Sequence, residues 1–204
     1  MSEHTPIPSA ELELFKFISP DIDVVVDVGA RTDIDYKLIK PSLTCHLFEP
    51  EPEFFSTLAG KCEGLENMHL NNYGLSDEEG FFHYNDGIQS FRGHNKDDRT
   101  MLVRTLDMYI RENNIDKIDF LKMDTEGWDL KVLMGCIDHW SKIKYLQYEH
   151  WNDDQRYRKV LGQDFDCEYT GYRNGFAINK ALVSQERRDE VIKYIRDNKM
   201  GELA

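Results

Sequence analysis

Apolar residues along this chain fall into two alternating spacings. Val24, Val25, Val26 and Val28 are nearly continuous and β-branched, which predicts a strand covered on both faces, as in a parallel sheet. Leu43 to Phe48, Ile118 to Met123 and Lys144 to Tyr148 repeat that texture. Between them the spacing becomes helical: Phe54, Phe55 and Leu58 after Pro50 and Pro52, then Leu106, Tyr109 and Ile110 opening at Thr105, then Leu130, Val132, Leu133 and Ile137 after Gly127. Strand and helix therefore alternate, the pattern of an α/β domain with a mostly parallel sheet.

The two ends read differently. Ser9 can cap a helix with Glu11 and Glu13 in its first turn and Leu12, Phe15 and Ile18 on one face, and Pro20 stops it, so residues 1–20 read as an N-terminal helical extension. Phe165 to Thr170 and Gly175 to Asn179 read as strands joined by the turn-rich Gly171 to Asn174, an antiparallel edge hairpin. Ser184 to Lys199 reads as an amphipathic closing helix that docks Val191, Ile192 and Ile195. No repeat or linker divides the chain, and 204 residues at 40% hydrophobic composition suit one core, so residues 1–204 are expected to form a single domain.

Charge narrows the partners. The formal net charge is −13 with no run of Lys or Arg, which argues against nucleic acid. No apolar stretch approaches the roughly 20 residues of a bilayer span, and Met1 to Pro8 has neither a basic nor an apolar region, so no membrane insertion and a cytoplasmic location are expected. Cys45, Cys62, Cys136 and Cys167 are widely spaced and read as reduced, mostly buried thiols.

Chemistry is expected where parallel strands end. Those ends read Asp27-Val-Gly-Ala30, Phe48-Glu-Pro50, Lys122-Met-Asp-Thr-Glu-Gly127 and Tyr148-Glu-His150, each with a carboxylate. Gly29 permits a sharp turn close to a ligand, and Glu49 lies twenty residues on, the spacing at which an acid meets a ribose diol. The phosphate-binding G-x-G-x-x-G is absent, which favours a nucleoside cofactor without a pyrophosphate over NAD.

In their order, these motifs together with Asn72-Tyr-Gly-Leu-Ser-Asp77, Thr105-Leu-Asp107 and Leu121-Lys-Met-Asp-Thr-Glu-Gly127 resemble the FkbM family of methyltransferases that use S-adenosylmethionine (SAM). The resemblance spans roughly residues 20 to 150, and the Lys-x-Asp-x-Glu-Gly element followed by Val132-Leu-Met-Gly135 is its most specific part. It implies a Rossmann-like class I methyltransferase fold with a seven-stranded sheet and helices on both faces, and methylation of hydroxyls on sugars or polyketide-type metabolites. It puts Asp27, Gly29 and Ala30 around the methionine and ribose of SAM, Glu49 on the ribose hydroxyls, and Ser76 and Asp77 near the adenine. The family usually has a second glycine shortly after the first, whereas this chain reads Gly29-Ala-Arg-Thr-Asp33, which leaves Arg31 or Asp33 to contact the cofactor instead.

For the acceptor, Asp124 ends one strand and Glu149-His150 ends the next, 25 residues later, so the trio is expected to converge. Carboxylates suit Mg²⁺ and Mn²⁺, imidazole suits Mn²⁺ better, and such an ion would bind a sugar diol and acidify one hydroxyl. The placement is similar to catechol-type and macrolide-sugar O-methyltransferases, except that His150 stands where those enzymes usually have an acid or Asn. That makes His150 the alternative general base, with Asp124 as its catalytic companion.

Blander readings stand beside these. Asp124 and Glu126 precede a helix and can cap it, Thr105-Leu-Asp107 reads as a plain helix start, His46 as a hydrogen-bonded structural histidine, and Trp128 as core. His94 falls in the polar loop Asn85 to Arg99, placed to cover an acceptor. Three functions follow: methylation of a sugar or glycan hydroxyl, methylation of another small metabolite such as a polyketide or lipid headgroup, or a nucleoside-binding module without turnover. The length suits a free enzyme or one domain of a larger glycan-building polypeptide.

Overall fold

Helix and strand alternate as the hydrophobic spacing predicts. The computed structural model describes residues 9–83, 100–150, 154–171 and 173–198. In chain order come α1 (Ser9–Ile18), β1 (Val24–Val28), α2 (Asp35–Ile39), β2 (Thr44–Phe48), α3 (Pro52–Cys62), β3 (Met68–Asn71), β4 (Gly74–Leu75), β5 (Gly80–His83) and β6 (Thr100–Arg104). Then follow α4 (Leu106–Glu112), β7 (Ile118–Met123), α5 (Asp129–Met134), β8 (Ile143–Glu149), α6 (Asp154–Leu161), β9 (Phe165–Gly171), β10 (Asn174–Asn179) and α7 (Gln185–Asp197).

Seven strands form one sheet in the order β3-β2-β1-β7-β8-β10-β9, parallel from β3 to β8 and antiparallel at β10 and β9. This is the class I methyltransferase architecture, with the expected edge hairpin. The strand order reverses direction at β1 and β7, which places the switch point, where ligands bind in open α/β sheets, over Gly29 and Asp124. The pattern did not indicate a second, three-stranded sheet, β4-β6-β5, whose strands are too short and mixed to stand out.

Alternation along the strands divides the core in two. Val26, Val28, Leu121, Met123, Leu146 and Tyr148 face α4, α5 and α6. Val25, Phe120, Tyr145, Phe176 and Ile178 face α1, α2, α3 and α7. Helix α1, expected as an extension, is part of this second layer: Leu14, Phe15 and Ile18 are buried in it, while Leu12 is only partly buried. Its C-terminal end is tied to α7 by Phe17 stacking on Tyr194 at 4.1 Å and by Arg187 on Asp21 at 2.7 Å.

Several local expectations resolve plainly. Thr105 and Ser184 cap α4 and α7 by accepting from the amides of Met108 and Arg187. His46 Nδ1 lies 2.8 Å from Tyr109 OH, a structural hydrogen bond, and burial with the neighbouring His69 pushes its imidazole down to about 4. Ile137 lies past the end of α5 and is half exposed, outside the helical face assigned to it. Three cysteines are buried and Cys167 is intermediate, all free.

Close packing shows most sharply at β8 and β10. A Cβ on Gly175 would stand 2.3 Å from Tyr148 Cζ. That ring cannot yield, because it is fully buried and stacked on Tyr157 at 4.3 Å. Gly175→Ala is therefore expected to cost about 1 to 3 kcal/mol of stability, read as a lower urea midpoint with an unchanged slope.

Candidate active site

The site is built where β1 and β7 end side by side. Asp124 N donates to Val28 O at 3.0 Å, and Gly29, at φ +83°, lies so close that a Cβ would stand 2.1 Å from Asp124 O. Both the left-handed turn and the contact exclude any side chain at this position. The amides of Gly29 and Ala30 donate to Phe48 O, which draws the turn toward the end of β2.

There Glu49 organises the loop. Its Oε2 accepts from Arg31 N and its Oε1 from Glu51 N, both at 2.8 Å. Burial pushes its carboxyl up to about 7, against the lowering effect of those two amides. Arg31 stands at φ +53°, a left-handed conformation unusual for a residue with a side chain. The missing second glycine is thus replaced by an arginine whose amide is fixed by Glu49 and whose guanidinium lies 4.8 Å over the Phe54 ring. Asp33 Oδ1 accepts from Asp35 N at 2.7 Å and so fixes the start of α2.

One layer below the rim, on the α1 side of the sheet, Asp27, Lys122 and Gln147 stand in register across β1, β7 and β8, flanked by Leu47 and Phe176. Lys122 Nζ is 3.3 Å from Asp27 Oδ1 and 3.6 Å from Asp124 Oδ2. Burial alone would lower the lysine's pKa, but Asp27 and Asp124 outweigh it and hold the ammonium well above its ordinary value. Burial raises Asp27, with Lys122 opposing. Glu11 of α1 joins them, buried, accepting from Asn174 Nδ2 at 2.6 Å and hydrogen-bonded by Gln147.

The loop after β7 is pinned from within. Asp129, fully buried, accepts from Thr125 N and Glu149 N, each at 3.2 Å, and from Thr125 Oγ1 at 2.7 Å. Burial raises its carboxyl to about 6. The N-cap position of α5 belongs to Trp128, without a side-chain hydrogen bond, so neither Asp124 nor Glu126 caps that helix. Trp128 is core, with Phe82 edge-on at 5.3 Å and Lys131 Nζ 4.2 Å over its ring.

The structure thus brings Asp27, Gly29, Ala30, Arg31 and Glu49 together. Ser76 and Asp77 are held at the C-terminal end of α5, where Ser76 O packs against Gly135 and Ser76 Oγ donates to Asp77 Oδ1 at 3.0 Å. The metal trio does not assemble: among the described residues no three His, Cys, Asp or Glu side chains converge to hold an ion. Asp124 leans to Lys122, and His150 packs with Tyr148 and Tyr169. Glu149 is the last residue of β8, and His150 follows it outside the strand. His94 and Trp151 lie outside the described residues.

Lys122, Glu11, Asp129, Gln147 and Tyr36 were given no site role from the sequence, although Lys122 opens the Lys-x-Asp-x-Glu-Gly element and Glu11 reads as a first-turn acid. The available signals were a lysine inside an otherwise apolar strand and a glutamate at the i position of the Leu14, Phe15, Ile18 stripe.

Comparison with known proteins agrees with the fold. The chain matches the Methyltransferase FkbM domain family over residues 27–196. It is 24% identical to the hexuronic acid methyltransferase AglP of Haloferax volcanii over 62% of this chain and 55% of that protein. It is 22% identical to the 2-O-methyltransferase NoeI of Sinorhizobium fredii over 76% of this chain and 75% of that protein. The chain therefore spans about half the length of the first relative and three quarters of the second. The crystal structure of an FkbM methyltransferase from Methylobacillus flagellatus superposes with a TM-score of 0.58 and 16% identity, covering 78% of this chain and 44% of that one. Among the described residues no helix is long and apolar enough to cross a membrane.

Two outcomes follow from this geometry. Lys122→Met leaves Asp27 and Asp124 without their cation and should destabilise the protein by about 3 to 5 kcal/mol in urea, whereas the double change Asp27→Leu with Lys122→Met should cost far less. Dialysis against EDTA should leave the thermal midpoint unchanged, and excess Mn²⁺ should not raise it; a clear rise with Mn²⁺ would restore the metal reading.

Proposed function

Because the chain belongs to the Methyltransferase FkbM domain family, we propose that it transfers the methyl group of SAM to a hydroxyl of a sugar or glycan. The observation that carries the cofactor part is Glu49, buried at the end of β2 and oriented by the amides of Arg31 and Glu51 beside the Gly29 turn. A carboxylate so fixed accepts the paired hydroxyls of a ribose without first having to be ordered. Asp27, Gly29, Ala30 and Arg31 continue the same wall toward β7. The acceptor part is supported by two relatives, one named for hexuronic acid and one for 2-O-methylation.

When bound, SAM supplies a methyl already activated as a sulfonium, so that the new O–C bond forms as the C–S bond breaks and sulfur keeps the electron pair. The chain's task is alignment and removal of the hydroxyl proton. Gly29 and Asp124, locked together, fix the cofactor end relative to the rim of β7. Asp124, with half of its side chain exposed and Lys122 3.6 Å away, is the carboxylate we assign to receive that proton. His150, buried beside Tyr148 and Tyr169, is the alternative base. The negative charge of the chain fits an acceptor other than nucleic acid.

Mass spectrometry of neutral hexose and hexuronic acid glycosides incubated with the protein and SAM should show a gain of one methyl on the sugar. Glu49→Ala should weaken SAM binding about 10- to 150-fold in a calorimetric titration, the effect of losing a charge-assisted pair. Unchanged affinity in a folded Glu49→Ala protein would remove this residue from the site.

A further inference from the structure

The polar cluster beneath the rim is out of electrical balance. Among the described residues one ammonium, Lys122, faces the carboxyl groups of Asp27, Asp124 and Glu11. Among the described residues, Tyr36 OH is buried with no hydrogen-bond partner, and Asp27 Oδ1 has only its 3.3 Å ion pair to Lys122. Tyr36 belongs to α2, its ring is wedged between Phe15 at 4.4 Å and Phe120 at 5.5 Å, and its buried hydroxyl feels the charges of Lys122, Asp27 and Glu11. Buried polar groups are as a rule satisfied, so an orphan hydroxyl beside a carboxylate oxygen that accepts no hydrogen bond points to a ligand.

Glu11 is the second anomaly. It occupies a buried position on α1 where Leu14, Phe15 and Ile18 continue the stripe, and an apolar residue there would avoid the cost of burying a carboxylate. Asn174 from β10 and Gln147 from β8 hold its carboxylate in place. The group that would complete the cluster is positive and carries several N–H donors, which describes a primary ammonium.

Its position fits the same conclusion. Glu49 stands at β2, Gly29 at β1 and the cluster under β1, β7 and β8. A nucleoside whose ribose lies on Glu49 and whose 5′ chain passes Gly29 brings the end of that chain over Asp27. We propose that Glu11 and Tyr36, together with Asp27, receive the α-ammonium of the cofactor's amino-acid tail, so that the N-terminal helix is a cofactor-binding element. This rests on the SAM reading above and adds to it two residues that no motif marks.

Charge bookkeeping agrees. Burial pushes Glu11 up to about 7, so near neutrality the carboxyl is only partly ionised. The groups facing it are Lys122 and Asp124 from the β7 end and Asp27 from β1, with Tyr36 and Asp33 further off around Asp27. An arriving ammonium favours the ionised form and displaces the proton that remains, so binding should release a proton below pH 7 and tighten as pH rises through 7.

The test compares S-adenosylhomocysteine, which has the amino-acid tail, with 5′-methylthioadenosine, which lacks it, by calorimetry in two buffers of different ionisation enthalpy. Glu11→Gln should weaken S-adenosylhomocysteine about 10- to 100-fold, leave methylthioadenosine within about 3-fold, and abolish the proton release. Tyr36→Phe should weaken S-adenosylhomocysteine about 2- to 10-fold with methylthioadenosine unaffected. Wild-type affinity for S-adenosylhomocysteine in Glu11→Gln overturns the assignment, and so does an equal loss for both ligands, the mark of a structural residue. Wild-type protein that binds both ligands equally keeps the nucleoside site and sinks the ammonium site. Protein that binds neither sinks the cofactor reading and this inference with it.

Discussion

A lysine ammonium buried in the middle of a parallel sheet sets the terms for the rest of this structure. Lys122 lies in a strand whose every residue is buried, and nothing but a carboxylate can hold its charge there. Asp27 supplies it from the neighbouring strand in register, and Asp124 adds to it two residues further along. The pairing ties the last residues of β1 to the last residues of β7, which is where the sheet changes direction and where a ligand must sit. Removal of either partner strands the other in a medium that cannot solvate it. The switch point is therefore fixed by an ion pair as well as by backbone hydrogen bonds.

From that anchor the Gly29 turn gains its shape. With β1 and β7 held together, the chain leaving Val28 has room only for a residue without a side chain, and it turns back toward Phe48. Arg31 then enters the left-handed region, which costs on the order of 1 kcal/mol. The two amides donated to Glu49 offset part of that cost and also orient the carboxylate. The strain and the binding residue are thus parts of one arrangement.

Much of this was legible in the sequence because it is carried by spacing. Continuous β-branched runs gave the central strands, and carboxylates at their ends gave Asp27, Glu49 and Asp124. What escaped was carried by contact across the sheet. Nothing local pairs Lys122 with Asp27, since they are neighbours only after β1 and β7 align, and Glu11 reads as a first-turn acid until α1 is laid on the sheet. The convergence of Asp124, Glu149 and His150 failed for a simpler reason. Neighbouring strand ends bring backbones together, but each side chain goes where its contacts take it, Asp124 to Lys122 and His150 to Tyr148 and Tyr169. The small sheet escaped because β4 has two residues and β5 four, too few for a period to show.

The placement of charge also constrains how a site of this kind can work. Surplus carboxylate beside a sulfonium would favour the methyl donor over the neutral thioether it becomes, and so would raise the barrier to transfer. Here Glu11 and Asp27 lie one layer below the rim, on the side of Gly29 away from Glu49, and the carboxylate at the rim, Asp124, has the Lys122 ammonium 3.6 Å away to offset its charge. In the assignment proposed above, charge at that depth acts on the tail of a nucleoside, which is the same before and after transfer, and binding of that kind is uniform. It lowers the concentration of cofactor needed without lowering the chemical barrier. The rate must then come from geometry at the rim, where the Gly29 and Asp124 contact leaves the least freedom: a sulfonium methyl held there meets a hydroxyl over β7 and β8 along one line of approach.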